Sequence, residues 1–544
     1  MTPRRRRQEP ELATATKKPM IRRARHSVTR LVRDRGARLR IGAAAVSGVL
    51  LALAFPALDL TPLAFVALVP LLWAWRGATP GRAALYGFVF GCVFYGIVLY
   101  WLWYFGLVAI VPLVAACAAY TAVTGGLVGY LTRAGFATPW LIGAAWVLPE
   151  TLRGRWPFGG LPWADLGVVL HDFPPARALA SWGGVALVSF LLVVFNAYLV
   201  QLLVAARAHA VRALGFAALG AAGVVAIVAV ADVARFDPDS TGELRVAMLQ
   251  GNDQNRELTQ AEKNRGYLTE KHLELASRLR GPYDLIVFPE SSLDQFNPET
   301  NLALRRRLVA VGAAHGADVL ANAAVPASDG RDFNTNLLYT PDGQLVGSYA
   351  KQHLVPFGEY VPFRSLIDWT GVVDRIPNDY SPGSRRTIFR VKDHRLATII
   401  CFESAFGPLV RDFVRDGAEI VVVSTNNRSY RRSGNTAQHV AQTQMRAAET
   451  GRPFLQASIS GITASIDADG DVHGRTSLFH NTAVTATVTT TTGETPYVRF
   501  GDWVPLVSAV LLLGAAITAR LRRRPAAFPR LAEAAAKEPA GRMS

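Results

Sequence analysis

A helix that crosses about 30 Å of hydrocarbon needs about 20 mostly apolar residues, because it rises about 1.5 Å per residue. Stretches of that kind recur near 41–56, 62–76, 83–105, 108–132, 137–152, 183–206, 212–233 and 503–519, the second and fifth being the shortest. Half of the 544 residues are apolar. The pattern therefore predicts a polytopic α-helical membrane domain of about eight spans that carries a folded extramembrane domain.

Charge supports that reading and argues against a nucleic-acid partner. The net charge is +17, but residues 1–40 hold 14 Lys/Arg against 3 acids and residues 520–544 hold 7 against 2, so the chain between the tails is nearly neutral. Basic tails beside membrane spans are expected to sit in the cytoplasm, near anionic lipid or a cytoplasmic partner. Arg40, Arg76, Arg82, Arg133, Arg207, Arg212 and the run "RLRRR" (520–524) all fall on that same side if the spans alternate. Residues 1–40 and 520–544 are then cytoplasmic tails, and the segment between spans seven and eight faces outward. The loop "LRGRWPFGGLPWADLG" (152–167) shares the outer side, where Trp156 and Trp163 suit the interface. Its Arg153 and Arg155 run against the charge rule, which marks the loop as structured or functional. The first span has an alternative reading as a signal peptide, but removing it would upset the charge pattern. Cys92 and Cys117 lie inside apolar runs and read as packing thiols rather than as a disulfide framework.

Residues 243–500 read differently. Short apolar strands at 244–251, 283–290, 396–403 and 419–426 alternate with helical stretches at 260–280, 301–315 and 436–450, the pattern of a layered α/β domain. "DADGDV" (467–472) reads as a hairpin turn, and "TAVTATVTTTTG" (482–493) as a late strand. Three segments end a strand or begin a loop with a reactive group: Glu290 in "VFPESS", Lys351 in "SYAKQHLVPFGEYVPF" and Cys401 in "IICFES". A carboxylate, an ammonium and a thiol are the parts needed for acyl transfer through a thioester. Glu290 would take the thiol proton, and Lys351 with the backbone N–H of Phe402 would stabilise an oxyanion. The helix expected over "SAFGPLVRDFVRD" would favour the thiolate through its dipole. Taken singly, each residue also has an ordinary reading: a cysteine at a strand end is more often a small packing residue than a nucleophile.

The three motifs together resemble the Glu-Lys-Cys triad of the nitrilase superfamily, whose fold is an αββα sandwich. Seven spans before such a domain and one after it resemble one branch, the bacterial apolipoprotein N-acyltransferases. The segment "KQHLVPFGEYVPF" (351–363) is the most specific match, joined by "LQGN" (249–252), "STNN" (424–427), residues 438–464 and residues 489–503. The resemblance implies Glu290 as base, Lys351 as oxyanion partner and Cys401 as nucleophile. It also implies functional glutamates at Glu359 and Glu403, for which the plainer readings are a loop salt bridge and a carboxylate that orients Lys351. Phe402 stands where the family often has Tyr. "NNRSYRR" (426–432) and "DQNRELTQ" (253–260) depart from the family pattern in segments that resemble the lip of a lipid entrance. The implied activity moves a fatty acyl chain from a membrane phospholipid to an apolipoprotein's S-diacylglyceryl cysteine, without metal or organic cofactor, on the outer face of a bacterial cytoplasmic membrane. The remaining alternatives are a membrane-tethered amidase with the same triad and a silent envelope scaffold.

Overall fold

The computed structural model describes residues 34–294, 296–367 and 378–523; both basic tails lie almost wholly outside them. Among the described residues, six helices are long and apolar enough to cross a membrane. They are α1 (Arg35–Ala54), α3 (Pro80–Val98), α4 (Leu107–Ala134), α6 (Pro174–Arg207), α7 (Val211–Val233) and α12 (Trp503–Arg523). The two shortest predicted spans do not reach that length. Residues 62–76 break into Ala64–Ala67 and α2 (Val69–Trp75), and residues 137–152 form α5 (Pro139–Arg153), whose 15 residues cover only about 22 Å. The first break has a local cause, because Pro70 has no N–H to bond back to Val66. Asn196 of α6, fully buried, repairs it by accepting from Leu68 N–H at 3.2 Å and donating to Ala64 O at 3.2 Å.

The short segments still run between the same two ends of the bundle as the long helices. Arg40 at the start of α1 donates to Ala74 O (2.8 Å) and Arg76 O (2.6 Å) at the end of α2, which makes the pair antiparallel. Arg82 pairs with Asp34 at 3.5 Å, and Arg522 of α12 lies over Phe136, just before α5. One end of the bundle thus gathers the helix-terminal arginines, and the other carries the α/β domain. α6 bends at Gly183 and Gly184, where the first predicted residue of that span fell. Gly184 has φ +70°, and a Cβ there would meet the Tyr497 ring at 2.8 Å.

α3 and α4 approach backbone to backbone through two small-residue pairs. A Cβ at Gly87 would lie 2.2 Å from Thr121 O, and one at Gly91 would lie 2.6 Å from Ala118 Cα; across the contact, a Cβ at Gly125 would lie 2.2 Å from Ala83 O and one at Gly129 2.7 Å from Pro80 Cα. Glycines four apart on both helices permit the close dispersion contact that holds helices together where no hydrophobic drive exists.

The α/β domain is a two-sheet sandwich. The first sheet runs β12-β1-β2-β3-β4-β5, built from β1 (Asp239–Gln250), β2 (Leu285–Val287), β3 (Asp318–Pro326), β4 (Asp332–Tyr339), β5 (Leu345–Ala350) and β12 (Thr482–Thr492). The second runs β11-β10-β9-β8-β7-β6, from β6 (Ile388–Val391), β7 (His394–Ile400), β8 (Ile420–Thr425), β9 (Phe454–Ser458), β10 (Ala464–Ile466) and β11 (Val472–His473). On the first sheet, Ala247, Leu249, Ile286 and Phe288 pack under α8 (Tyr267–Ser277) and α9 (Leu302–His315), while Val246, Met248, Leu285 and Val287 join the main core. The parallel strands are apolar on both faces for that reason. The second sheet is covered by α10 (Gly407–Arg415) and α11 (Asn435–Thr450). A polar ladder crosses the sandwich: Asn322 donates to Asn334 and Asn336, and Asn336 donates to Thr398 Oγ1 of the opposite sheet at 2.6 Å. The predicted helix 260–280 divides at Gly266, whose φ is +70°.

Gly87→Leu is expected to force α3 from α4 at a cost of about 1–3 kcal/mol, lowering the thermal midpoint in detergent. Gly96→Ala, with nothing within 4 Å of its Cβ, is the matched control. Equal midpoints for the two variants would refute the close-contact account.

Candidate active site

Glu290, Lys351 and Cys401 each stand just beyond the carboxyl end of a strand: Lys351 after β5, Cys401 after β7, and Glu290 three residues past β2. The sandwich brings those ends together. Lys351 is 1% exposed, its Nζ 2.9 Å from Glu359 Oε1 and 3.5 Å from Glu290 Oε1. Burial works against its charge, but Glu359 and Glu290 outweigh it and hold the ammonium protonated, well above its ordinary range. Asn334 of β4 bridges the two carboxylates, donating to Glu290 Oε1 at 2.8 Å and to Glu359 Oε1 at 2.9 Å. Glu290 Oε2 accepts the Asn426 N–H at 2.8 Å, just past the end of β8. The pKa of Glu290 is raised by burial, and the Lys351 charge opposes that shift.

Cys401 is buried, with φ +52°, a backbone conformation kept for positions the surroundings over-determine. Its Sγ lies 4.0 Å from Asn426 O. Burial, then the Glu290 charge, push its thiol up to about 12, and Lys351 only partly offsets them. The expected thiolate support from a helix dipole is absent at this position. Residues Cys401–Ala405 form a single 3-10 turn, and α10 starts only at Gly407, because Pro408 occupies its first turn and Phe406 leaves helical geometry.

The two further glutamates act differently from each other. Glu359 is an ion-pair partner of Lys351 inside the site and also accepts Val355 N–H at 2.8 Å. Glu403 makes no direct bond to Lys351. Its Oε1 accepts from Gln352 N–H (2.7 Å), His353 N–H (3.1 Å) and Tyr349 OH (2.9 Å), and its Oε2 accepts from Ile400 N–H (2.8 Å). It therefore clamps the backbone just after Lys351, and the Tyr349 hydroxyl before it, to the backbone before Cys401. Phe402 packs by its ring, stacked on Trp163 with centroids 6.3 Å apart and edge-on to Phe406 at 5.0 Å.

Several residues close to the triad carried little signal in the sequence. Asn334 sits in an unremarkable strand, and only the alternation of Asn334 and Asn336 with apolar neighbours hinted at an inward polar row. His439 of α11 places Nε2 3.0 Å from Cys401 O and 2.8 Å from Ser404 Oγ, and burial lowers its pKa to about 4. The neutral ring thus braces the backbone of the nucleophile's turn. Tyr430 stacks edge-on to Trp101 (4.9 Å) and Phe105 (5.7 Å) from the membrane domain. Its hydroxyl is pushed above its ordinary range by burial, then by Cys401 and Glu290.

The membrane domain closes the site through α11, whose polar side chains are buried and mostly matched. Gln438 Oε1 accepts the indole N–H groups of Trp101 (3.0 Å) and Trp163 (2.8 Å), and its Nε2 donates to Pro56 O (3.0 Å) and Val98 O (2.9 Å). Glu449 accepts Val185 N–H at 2.7 Å, capping the second half of the bent α6. The 152–167 loop is structured around its two arginines. Arg153 donates to Leu161 O (2.9 Å), Trp163 O (2.5 Å) and Asp165 (2.6 Å), and Arg155 pairs with Asp502. Trp156 is exposed as an interfacial residue would be, but Trp163, expected beside it at the interface, is instead buried against Phe402 and His439.

A two-sheet domain whose strand ends gather a carboxylate, an ammonium and a thiol, carried on a bundle of membrane-length helices, defines a membrane-bound carbon-nitrogen hydrolase-type protein. Residues 245–497 match the carbon-nitrogen hydrolase family model, and residues 47–198 match that of the apolipoprotein N-acyltransferase N-terminal domain. Relatives named apolipoprotein N-acyltransferase include those of Geobacter metallireducens, 32% identical over 88% of this chain and 95% of the relative, and Methylococcus capsulatus, 31% identical over 88% and 96%. A CN-hydrolase superfamily protein from Xanthomonas campestris is similar at 22% identity and a TM-score of 0.34, covering 45% of this chain and 91% of its own. The chain belongs to the apolipoprotein N-acyltransferase family, and is a bacterial membrane protein and an acyltransferase.

Replacing Glu403 by Ala would strand three buried N–H groups at about 1–3 kcal/mol each. A fall in the thermal midpoint and lost protection of the Lys351 loop in hydrogen exchange are expected. An unchanged midpoint would show that Glu403 is not a clamp.

Proposed function

We propose that this protein transfers a fatty acyl chain from a membrane phospholipid, through a thioester on Cys401, to the free α-amine of the S-diacylglyceryl cysteine that begins an apolipoprotein. The observation that carries the reading is the meeting of Glu290, Lys351 and Cys401 in one buried site that membrane-end aromatics cover. With the thiol near 12, a free thiolate at neutral pH would cost about 7 kcal/mol. Attack and proton transfer to Glu290 therefore occur together.

The thiol sulfur bonds to the ester carbonyl carbon while its proton passes to Glu290. The carbonyl oxygen becomes an oxyanion held by Lys351 and the first-turn N–H of Phe402. Collapse breaks the ester C–O bond, and Glu290 returns the proton to the departing lysophospholipid. In the second half, the apolipoprotein amine attacks the thioester, Glu290 takes its proton, and the sulfur leaves and is reprotonated. Glu359 fixes the Lys351 head, Glu403 fixes the backbone around it, and the Trp101, Trp163 and Tyr430 rings limit water that would hydrolyse the thioester. The clustering of helix-terminal arginines at the bundle end remote from the α/β domain supports a catalytic domain on the extracytoplasmic side. The same rule gives cytoplasmic tails able to meet anionic lipid.

Intact-mass measurement after incubation with phospholipid should show one acyl adduct on wild type, removed by hydroxylamine and missing from Cys401→Ser. Failure to see it with any lipid would sink the mechanism. Initial rates over donor and acceptor should give parallel double-reciprocal lines; intersecting lines would exclude a covalent intermediate. Since Glu290 must be ionised to accept the proton and burial raises its pKa, adduct formation should fall on acidification at a pH above the ordinary glutamate range. A rate unchanged down to pH 4.5 would remove Glu290 as base.

A further inference from the structure

Segments 253–260 and 426–432, tied together by Arg431 and Asn255 and flanking Tyr430 beside Cys401, hold four arginines, and two of them are already neutralised. Arg256 pairs with Glu262 at 2.6 Å, and Arg428 with Glu257 at 3.4 Å. Arg431 and Arg432 have no carboxylate at ion-pair distance among the described residues. Arg431 spends one of its five N–H donors on Asn255 O (2.9 Å), which ties the two lip segments together, and Arg432 lies over the Phe479 ring at 5.4 Å with its side chain exposed. Arg431 has φ +54°, so the chain accepts backbone strain to hold this turn.

Their location matters as much as their charge. The preceding residue, Tyr430, adjoins the reacting groups and stacks on Trp101 and Phe105. Two residues on, Gly434 N–H donates to Tyr100 OH at 2.8 Å, and its Cα side faces the Pro56–Ala57 backbone. Both contacts are with the ends of membrane helices, where exposed Tyr100, Trp103 and Tyr104 mark the headgroup level. An acyl ester carbonyl brought to Cys401 from the bilayer would carry its phosphodiester past this turn.

We propose that Arg431 and Arg432 form a subsite for the phosphate of the donor lipid, and that this chain prefers an anionic phospholipid over a zwitterionic one. The inference rests on the acyl-transfer reading above and names its donor class. Two guanidinium groups favour a headgroup of net negative charge and repel an ethanolamine ammonium attached to the same phosphate. The donor half-reaction alone tests it, so acceptor binding does not enter.

Acyl-enzyme formation would be followed by intact mass in mixed micelles holding either phosphatidylglycerol or phosphatidylethanolamine with identical acyl chains. Wild type should react about tenfold faster with phosphatidylglycerol, and Arg431→Gln/Arg432→Gln should lose that factor by slowing the reaction with phosphatidylglycerol more than that with phosphatidylethanolamine. The lysine pair Arg431→Lys/Arg432→Lys should retain much of the preference, Arg432→Glu should reverse it, and Arg390→Gln, an exposed arginine on β6, should change nothing. Equal wild-type rates on the two lipids, or a glutamine pair that slows both alike, would overturn the proposal while leaving the acyl-transfer reading intact. No adduct from either lipid would overturn both.

Discussion

An ammonium with no access to water holds this site together. Burying an isolated Lys351 charge would cost several kcal/mol, so the fold must supply counter-charges at hydrogen-bond distance, and those carboxylates must themselves be satisfied. Glu359 and Glu290 provide the charge; Asn334, Val355 N–H and Asn426 N–H fill the remaining lone pairs. This requirement ties β2, β4, β5 and β8 to one point. It also explains why burial prevails at Cys401 and raises its pKa: the Lys351 charge already faces two carboxylates, and Glu290 adds to the shift.

The same physics governs the joint between the two halves of the molecule. α11 has polar residues on nearly every side yet is buried along its length, which is tolerable because most of its head groups find a specific partner. Gln438 alone joins four separate points of the membrane domain, and Glu449 caps the kink in α6. A helix with such demands fixes the catalytic sandwich at one height on the bundle. Trp101 and Phe105 of the membrane domain then meet Tyr430, and Trp163 meets Phe402, beside Cys401.

Much of this was legible along the chain, and the failures have physical causes. Apolar runs located the membrane helices because lipid demands length and composition together, and the 62–76 and 137–152 stretches, already the shortest in the sequence, form helices below that length. Pro70 and the distant Asn196 decided the first of them. Strands ending in Glu290, Lys351 and Cys401 were readable as reactive positions because chemistry-bearing residues broke apolar periodicity there. Asn334, His439 and Gln438 were not, since a buried polar residue looks like a surface one until its partner is known. Trp163 erred in the same way: a tryptophan in a loop between spans suits either an interface or a core.

The sequence by itself determined the membrane class and a layered α/β domain with Glu290, Lys351 and Cys401 at strand ends, because hydropathy period and residue chemistry are local properties; the sandwich and the places of Glu359 and Glu403 came from the family resemblance. Only the tertiary structure decided how those groups share charge, that Glu403 bonds to backbone rather than to Lys351, and that burial raises the pKa of the thiol. It also decided which lip arginines are paired and which are not. Pairing, burial and desolvation depend on groups hundreds of residues apart, and no local pattern encodes the distance between them.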